Sequence, residues 1–364
     1  MQTEVDGSPV AAVAVVASAG GVEALSGFVR ALPADFPAVV LVVLHISETG
    51  PSVLPRVLAR ESALPVAHAS GHEALAPGRI LVAPPGRHLR VHDDLADLDS
   101  EPRENGHRPS ADALLRSVAE SWGRRAAGIV LSGTMDDGAA GLRAIAANHG
   151  LTIVQDPAEA AFPGMPRAAI AEAHPAVVCQ VHEMATHLEQ WIATLDGAPA
   201  PSPAAATGPS GAPQDRDIAP EELSGTREPI DDTLPPSEFT CPDCGGTLWA
   251  VAAYGTDGYR CRVGHRFTLE AVLRGKQDAV EAALWAGIVA LEERVAIIGR
   301  VAGRLARAGG STRRCERDIE TTTEWIDALR ALVREFERED VISLVDGQKD
   351  VYEDVDVDGA AHAR

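Results

Sequence analysis

Ala11-Ala12-Val13-Ala14-Val15-Val16-Ala17-Ser18-Ala19-Gly20-Gly21 is the stretch whose reading decides the fold. The apolar run carries no polar interruption, the pattern of a strand buried on both faces and so of a parallel sheet covered by helices. A glycine pair follows, and then Val22, Leu25, Phe28, Val29 and Leu32 recur on one helical stripe. Strand, tight turn and helix in that order open an α/β sheet, and such sheets place their chemistry outside the carboxyl ends of the strands. Ser18 stands at that place, where helix N–H groups can stabilise an anion.

Further runs repeat the theme. Ala38–Leu44, Arg79–Ala83, Gly128–Ser132, Leu151–Gln155 and Ala176–Val181 read as strands, and Leu89–Leu98 as a short hairpin. Ser110 reads as the N-cap of a helix running through Ala113-Leu114-Leu115 and Val118, with Asp112 in its first turn. The expected fold class for residues 9–195 is α/β, a three-layer, doubly wound, mostly parallel sheet.

Composition changes at Ala198-Pro199-Ala200-Pro201-Ser202-Pro203. Residues 196–238 read as a flexible Pro/Ala/acidic linker. A small cysteine-bearing module is expected over 239–268 and an α-helical hairpin over 269–340. Its faces carry Leu284, Ile288, Leu291, Val295 and Ile298, then Ile319, Trp325, Leu329 and Leu332, with a break at Gly309-Gly310. Residues 341–364, rich in aspartate, read as a disordered acidic tail.

Acidic residues number 53 against 32 basic ones, a net charge of −21. Such a chain is a poor general ligand for nucleic acid or anionic lipid. No apolar run is long enough for a transmembrane helix, and the acidic start lacks the features of a signal peptide. Neither a secreted disulfide framework nor membrane insertion fits, so the expected location is cytoplasmic.

Three polar residues close three strand candidates: Ser18, His45 directly after Leu44, and Asp137 within Leu131-Ser132-Gly133-Thr134-Met135-Asp136-Asp137-Gly138. In a parallel sheet they share one edge. A serine hydroxyl needs a base, and the base an orienting carboxylate, so this convergence is what nucleophilic catalysis requires. Each residue also has a plainer reading: Ser18 as a turn or cap residue, His45 as structural, Asp137 as a turn residue or the cap of a helix starting near Ala139. The chain order, and the lack of a Gly-x-Ser-x-Gly elbow, separate the set from α/β-hydrolases.

At these residues the sequence resembles CheB-type protein-glutamate methylesterases. The resemblance is carried by Val16-Ala17-Ser18-Ala19-Gly20-Gly21-Val22-Glu23-Ala24-Leu25, by Leu44-His45, by Val82-Ala83-Pro84-Pro85-Gly86-Arg87-His88 and by Arg108-Pro109-Ser110-Ala111-Asp112-Ala113-Leu114. Leu131–Gly141 and Phe162–Ile170 complete it, all in the family's order. The resemblance implies that Ser18 attacks the methyl ester of a modified glutamate, that His45 is base and then acid, and that Asp137 orients His45. It implies an oxyanion hole of backbone N–H groups, here around His45 and Thr134, and no cofactor for catalysis. Glutamine deamidation by the same acyl chemistry is a related activity. Ala19 replaces a hydroxyl residue, and Thr134-Met135 stands where the family has Met-Gly. Family members usually carry an N-terminal receiver domain; with the hydrolase pattern starting about ten residues in, none is expected here.

Cys241-Pro242-Asp243-Cys244 and Cys261-Arg262-Val263-Gly264-His265 supply three thiolates and an imidazole from two turns. That set suits a closed, structural zinc site in a zinc-ribbon-like module, with Trp249, Tyr254 and Tyr259 as its small core. A redox Cys-x-x-Cys is the alternative. Arg260, Arg262, Arg266 and Arg274 read as a small, solvated basic cluster, while Cys179 and Cys315 read as ordinary packing residues.

The expectation is a serine methylesterase acting on a methylated chemoreceptor or related signalling protein, with its C-terminal module regulating or targeting it. The alternatives are a non-catalytic interaction protein that keeps the fold, and an esterase for an unrelated small ester.

Overall fold

A computed structural model describes residues 8–46, 48, 52–195, 235–253 and 256–336. The chain divides into two compact units, with the break between Ala271 and Val272. The expected linker 196–238 lies outside the described residues except for 235–238; Tyr254 and the expected tail 341–364 also lie outside them.

The first unit begins with β1 (Ala12–Ala17), α1 (Gly21–Ala31), β2 (Val39–Leu44), α2 (Leu54–Leu58), β3 (Val66–His68), β4 (Glu73–Ala74) and β5 (Ile80–Val82). There follow β6 (His88–His92), β7 (Leu95–Asp99), α3 (Ala111–Trp122), β8 (Ala126–Val130), α4 (Ala139–Ala147) and β9 (Leu151–Gln155). The last elements of this sheet domain are α5 (Gly164–Ala173), β10 (Val177–Cys179) and α6 (Met184–Leu195). Seven strands form one sheet in the order β10-β9-β8-β1-β2-β5-β3, every pair parallel. The apolar runs explain this: β1 and β2 are buried at every residue. Val13, Val15 and Ala17 face a core with Leu25, Phe28 and Leu188, whereas Ala12, Ala14 and Val16 face one with Leu114, Leu142 and Ile145. Burying such a Leu or Phe contributes about 1.5–3 kcal/mol, so the two cores hold the three layers together.

From β1 the chain winds outward through β2, then returns to β8 on the other side of β1. This reversal is the topological switch point, and the carboxyl ends of β1, β2 and β8 line it. The Leu89–Leu98 hairpin is present as β6 and β7, which join β4 in a small antiparallel sheet. The strand expected at Gly128–Ser132 starts earlier, at Ala126. Its end is trimmed because Ser132 N–H turns out of the ladder to Gln155 Oε1 (2.8 Å). Two short strands, β3 and β4, had no legible pattern. Val22, expected on the buried stripe of α1, is exposed.

The cysteine-bearing segment belongs to this same unit. It is a three-stranded antiparallel sheet, β11 (Leu248–Ala253), β12 (Thr256–Cys261) and β13 (Arg266–Thr268), with β13 at one edge. Arg260 is buried and Arg262 lies over the Trp249 ring at 5.1 Å, so the expected solvated basic face is partly packed away.

The helices α7 (Leu269–Arg307) and α8 (Arg313–Phe336) follow. In the second unit Ile288, Ile326 and Val333 are buried, with Leu284, Leu291, Val295 and Leu329 packed around them. Arg330 donates to Glu292 at 2.5 Å across the antiparallel pair. Trp325 and Leu332, expected on the buried face, are 50% and 46% exposed, since the close contact runs through Ile326 and Leu329 instead. No helix among the described residues is long and apolar enough to cross a membrane.

Candidate active site

Ser18 follows β1 and is half-buried. Its position is set by backbone and glycine: Ser18 N–H donates to Ser132 O (2.9 Å), and Gly21 N–H returns to Ser18 O (2.9 Å). Gly20 caps α1 at φ 68°, and a Cβ there would come within 2.8 Å of both Ser132 Oγ and Ala161 Cβ. Ser132 Oγ–H in turn donates to Ala19 O at 2.8 Å, so the Ser18 turn is tied to the end of β8. Among the described residues Ser18 Oγ has no hydrogen-bond partner.

His45 and Asp137 meet. His45 Nε2 lies 2.8 Å from Asp137 Oδ2, with side chains only 6% and 3% exposed. Asp137 is not the cap of α4; that position is Gly138. Its carboxylate turns instead to the N-terminus of α3. Oδ2 accepts from Ala111 N–H (2.9 Å), and Oδ1 accepts from Asp112 N–H (3.0 Å), Ser110 Oγ–H (3.1 Å) and Asn105 Nδ2–H (3.2 Å). Burial alone would raise its pKa, but the His45 hydrogen bond and charge, His107 and the Ala111 N–H outweigh it and hold Asp137 well below the usual carboxylate range. An ionised carboxylate only accepts, so Nε2 carries the imidazole proton. In the neutral ring Nδ1 is then the bare nitrogen; it is buried and has no hydrogen-bond partner. His107 stacks on His45 with centroids 3.8 Å apart, and burial followed by the His45 charge lowers its pKa to about 4, which favours its neutral form.

A second acid supports the first. Asp112 Oδ1 accepts from Gly138 N–H (3.0 Å) and Gly141 N–H (2.7 Å), fixing the start of α4 against α3. Burial and the Asp137 charge raise its pKa well above the ordinary value, so the negative charge of the pair rests on Asp137. Glu104 lies behind this layer, paired with Arg90 (3.1 Å) and Arg116; these cations overcome its burial and lower its pKa to about 2.

The expected oxyanion donors need correction. His45 N–H donates to Ala17 O at 3.1 Å and is engaged in the sheet, so it is not available. The backbone N–H groups of Ala19, Gly20 and Thr134 have no hydrogen-bond partner among the described residues. Met135, standing where the family has glycine, adopts φ 67°, the left-handed region that favours glycine.

Asn105 and His107 were not legible as site residues. They form a tight turn in which Glu104 and His107 exchange both backbone hydrogen bonds (3.2 and 2.9 Å), with Asn105 and Gly106 at φ 52° and 78°. Asn-Gly is the signal for such a turn. Its placement beside Asp137 is tertiary.

Cys241, Cys244, Cys261 and His265 come together with all ligand atoms within 4.8 Å of one another. Cys241 Sγ and Cys261 Sγ lie 3.6 and 3.4 Å from His265 Nδ1, and Cys244 Sγ lies 3.7 Å from Cys261 Sγ. A tetrahedral zinc ion at about 2.3 Å from sulfur and about 2.0 Å from nitrogen requires ligand separations of roughly 3.5–3.8 Å. The four residues therefore fit such an ion with no open position. Gly245 and Gly264, at φ 70° and 111°, make both turns possible.

Residues 13–188 match the family model for CheB methylesterase. A protein-glutamate methylesterase/protein-glutamine glutaminase 2 of Anaeromyxobacter dehalogenans (strain 2CP-C) is 44% identical over 158 residues, covering 43% of this chain and 46% of its own. Protein-glutamate methylesterase FrzG of Myxococcus xanthus is 38% identical over 185 residues, covering 50% and 55%. The chain thus spans about half the length of the curated relatives it matches. The crystal structure of the Thermotoga maritima CheB methylesterase catalytic domain is 27% identical, with a TM-score of 0.46 over 50% of this chain and 98% of that one.

Proposed function

We propose that the chain is a protein-glutamate methylesterase in which Ser18 is the nucleophile, His45 the general base and Asp137 the orienting carboxylate. The observation that carries the reading is the buried His45–Asp137 pair at the carboxyl edge of the sheet, one strand from Ser18. With Nε2–H fixed on Asp137, His45 Nδ1 takes the Ser18 hydroxyl proton as Oγ attacks the ester carbonyl. The tetrahedral oxyanion is met by backbone N–H groups of Thr134 and of Ala19 or Gly20 at the start of α1. As the acyl C–O bond breaks, His45 gives the proton to the departing methoxide oxygen, releasing methanol and leaving the acyl group on Ser18. Water, activated by the same nitrogen, then releases the free carboxylate and Ser18. The amide of a glutamine side chain follows the same course with ammonia as leaving group.

The substrate is a methylated chemoreceptor or related signalling protein, and the place of action the cytoplasm. The Cys241–Cys244–Cys261–His265 cluster holds a structural zinc ion; catalysis uses no cofactor.

Methanol release from a methylated receptor fragment tests the reading, with the full chain and with Ser18→Ala. Activity lost in the variant supports it, while undiminished activity refutes the triad. Turnover of simple esters without receptor ester would move the substrate to an unrelated small molecule. No turnover of either would favour a non-catalytic role.

A further inference from the structure

β13 is the outer strand of its small sheet, so one row of its backbone groups faces away from β12. The segment 103–105 fills that row. Asn105 N–H donates to Arg266 O (2.8 Å), Arg266 N–H donates to Arg103 O (3.3 Å), and Glu104 bridges Arg266 in parallel register. This is strand addition, in which main-chain bonds give the attachment. One further bond leaves the ladder: Thr268 N–H donates to the side-chain oxygen of Asn105 at 3.0 Å. With Oδ1 engaged there, the two Nδ2 hydrogens are directed to Asp112 Oδ2 (3.0 Å) and Asp137 Oδ1 (3.2 Å).

The outer end of this chain of bonds is built on the ligand cluster. Arg266 follows His265 directly and Thr268 lies two residues further on, and the turn that presents them is closed by Cys261 N–H to His265 O (3.1 Å) and Gly264 N–H to Cys261 O (3.0 Å). Gly264 also lies against Pro102, where a Cβ would come within 3.0 Å of the ring. A segment of this size lacks the core to hold such turns unaided, so the ion sets where β13 sits.

We propose that the Cys3His module is a support of the catalytic carboxylate: β13 fastens Asn105, Asn105 fastens Asp137, and loss of the ion loosens the His45–Asp137 pair. Asn105 is a positioning residue, and the ion governs a hydrolase site that it does not touch. The consequence for turnover rests on the proposed triad chemistry. The effect is partial, since four other donors hold Asp137 and the 104–107 turn closes on itself.

The test uses the full chain, zinc-loaded and chelated, beside Asn105→Ala and Thr268→Pro. The second variant removes the edge N–H and leaves Asn105 in place. Two readouts do not depend on the natural substrate: the NMR resonance of the His45 Nε2 proton, and the rate at which a fluorophosphonate labels Ser18. Chelation and each variant are expected to shift or broaden the proton and slow labelling by roughly tenfold or more. Asn105→Ala should make the chain insensitive to chelation. A chain that binds no zinc overturns the proposal. So does chelation that leaves both readouts unchanged, or that slows labelling equally in wild type and Asn105→Ala. If wild type is not labelled, the His45 proton decides alone. Metal-dependent labelling without methanol release would leave the support standing and remove the substrate reading.

Discussion

Asp112 and Asp137 share one amide: Asn105 Nδ2 lies 3.0 Å from Asp112 Oδ2 and 3.2 Å from Asp137 Oδ1. Asp112 is otherwise met by backbone N–H groups at the start of α4, and Asp137 by those of α3 together with the Ser110 hydroxyl. The pair therefore locks two helices together and leaves one oxygen edge for His45.

That edge predicts the outcome of Asp137→Asn. Both oxygens of Asp137 accept, so either orientation of an amide sets its NH2 against a buried donor. Stability should fall by about 3 kcal/mol, and kcat by on the order of 10⁴ as the imidazole loses its orienting anion. Urea unfolding and methanol release measure the two; a fully active, equally stable variant contradicts the assignment.

The His45 tautomer is a second expected outcome. The proton sits on Nε2, facing Asp137. Nitrogen-15 NMR of the neutral imidazole should show a protonated Nε2 and a bare Nδ1, and the opposite tautomer would remove Nδ1 as the base.

Asp136, next to Asp137, is half-buried, and its Oδ1 is shielded from solvent without a hydrogen-bond partner. Burial, then Glu270 and Asp137, raise its pKa to about 7 despite the Thr268 hydroxyl. A folded pKa above the unfolded 3.8 favours the neutral form in the native state. Its stabilising contribution is therefore complete below 3.8 and lost as pH rises through about 7. Asp136→Asn should be more stable than wild type at pH ~8, with the gain vanishing at pH ~4. Chemical unfolding at the two pH values checks this.

Gly20→Ala should damage both fold and site. The residue has φ 68°, and the new Cβ would meet Ser132 Oγ and Ala161 Cβ at 2.8 Å. A loss of about 2 kcal/mol is expected from the backbone conformation and the clash together, with slower labelling of Ser18 because the turn that carries it must shift. Thermal unfolding and labelling rates test the pair of effects.

Metal analysis of the full chain should find one zinc ion, and Cys261→Ser should lose it. The variant should also show faster amide exchange in β12 and β13, whose turn it opens. Retention of the ion by the variant would place it elsewhere.

Much of the sheet and of the site was legible because local pattern and chemistry coincide. Continuous apolar runs specified β1, β2, β5 and β9 within a residue or so, since only strands covered on both faces tolerate them. Ser18 and His45 stood out because each is polar at the end of such a run, and Asp137 because it lies in the loop that follows one. Ser110 was recognisable as a cap, and its hydroxyl does accept from Ala113 N–H at 3.4 Å. Two knuckles of fixed spacing singled out Cys241, Cys244, Cys261 and His265, whose ligand-type atoms the structure brings within 4.8 Å of one another.

What tertiary structure alone decided lies between segments distant in sequence. The sheet ladder took His45 N–H, which no local pattern reveals, and so removed it from the expected set of free donors. Burial and close approach, which are properties of the packed chain, set the opposite protonation tendencies of Asp112 and Asp137. The bond from Thr268 to Asn105 spans 163 residues. The sequence determined which groups were available as donors, acceptors and ligands. Their pairing was decided by the folded chain, because a hydrogen bond depends on distances of a few tenths of an ångström that composition and spacing do not encode.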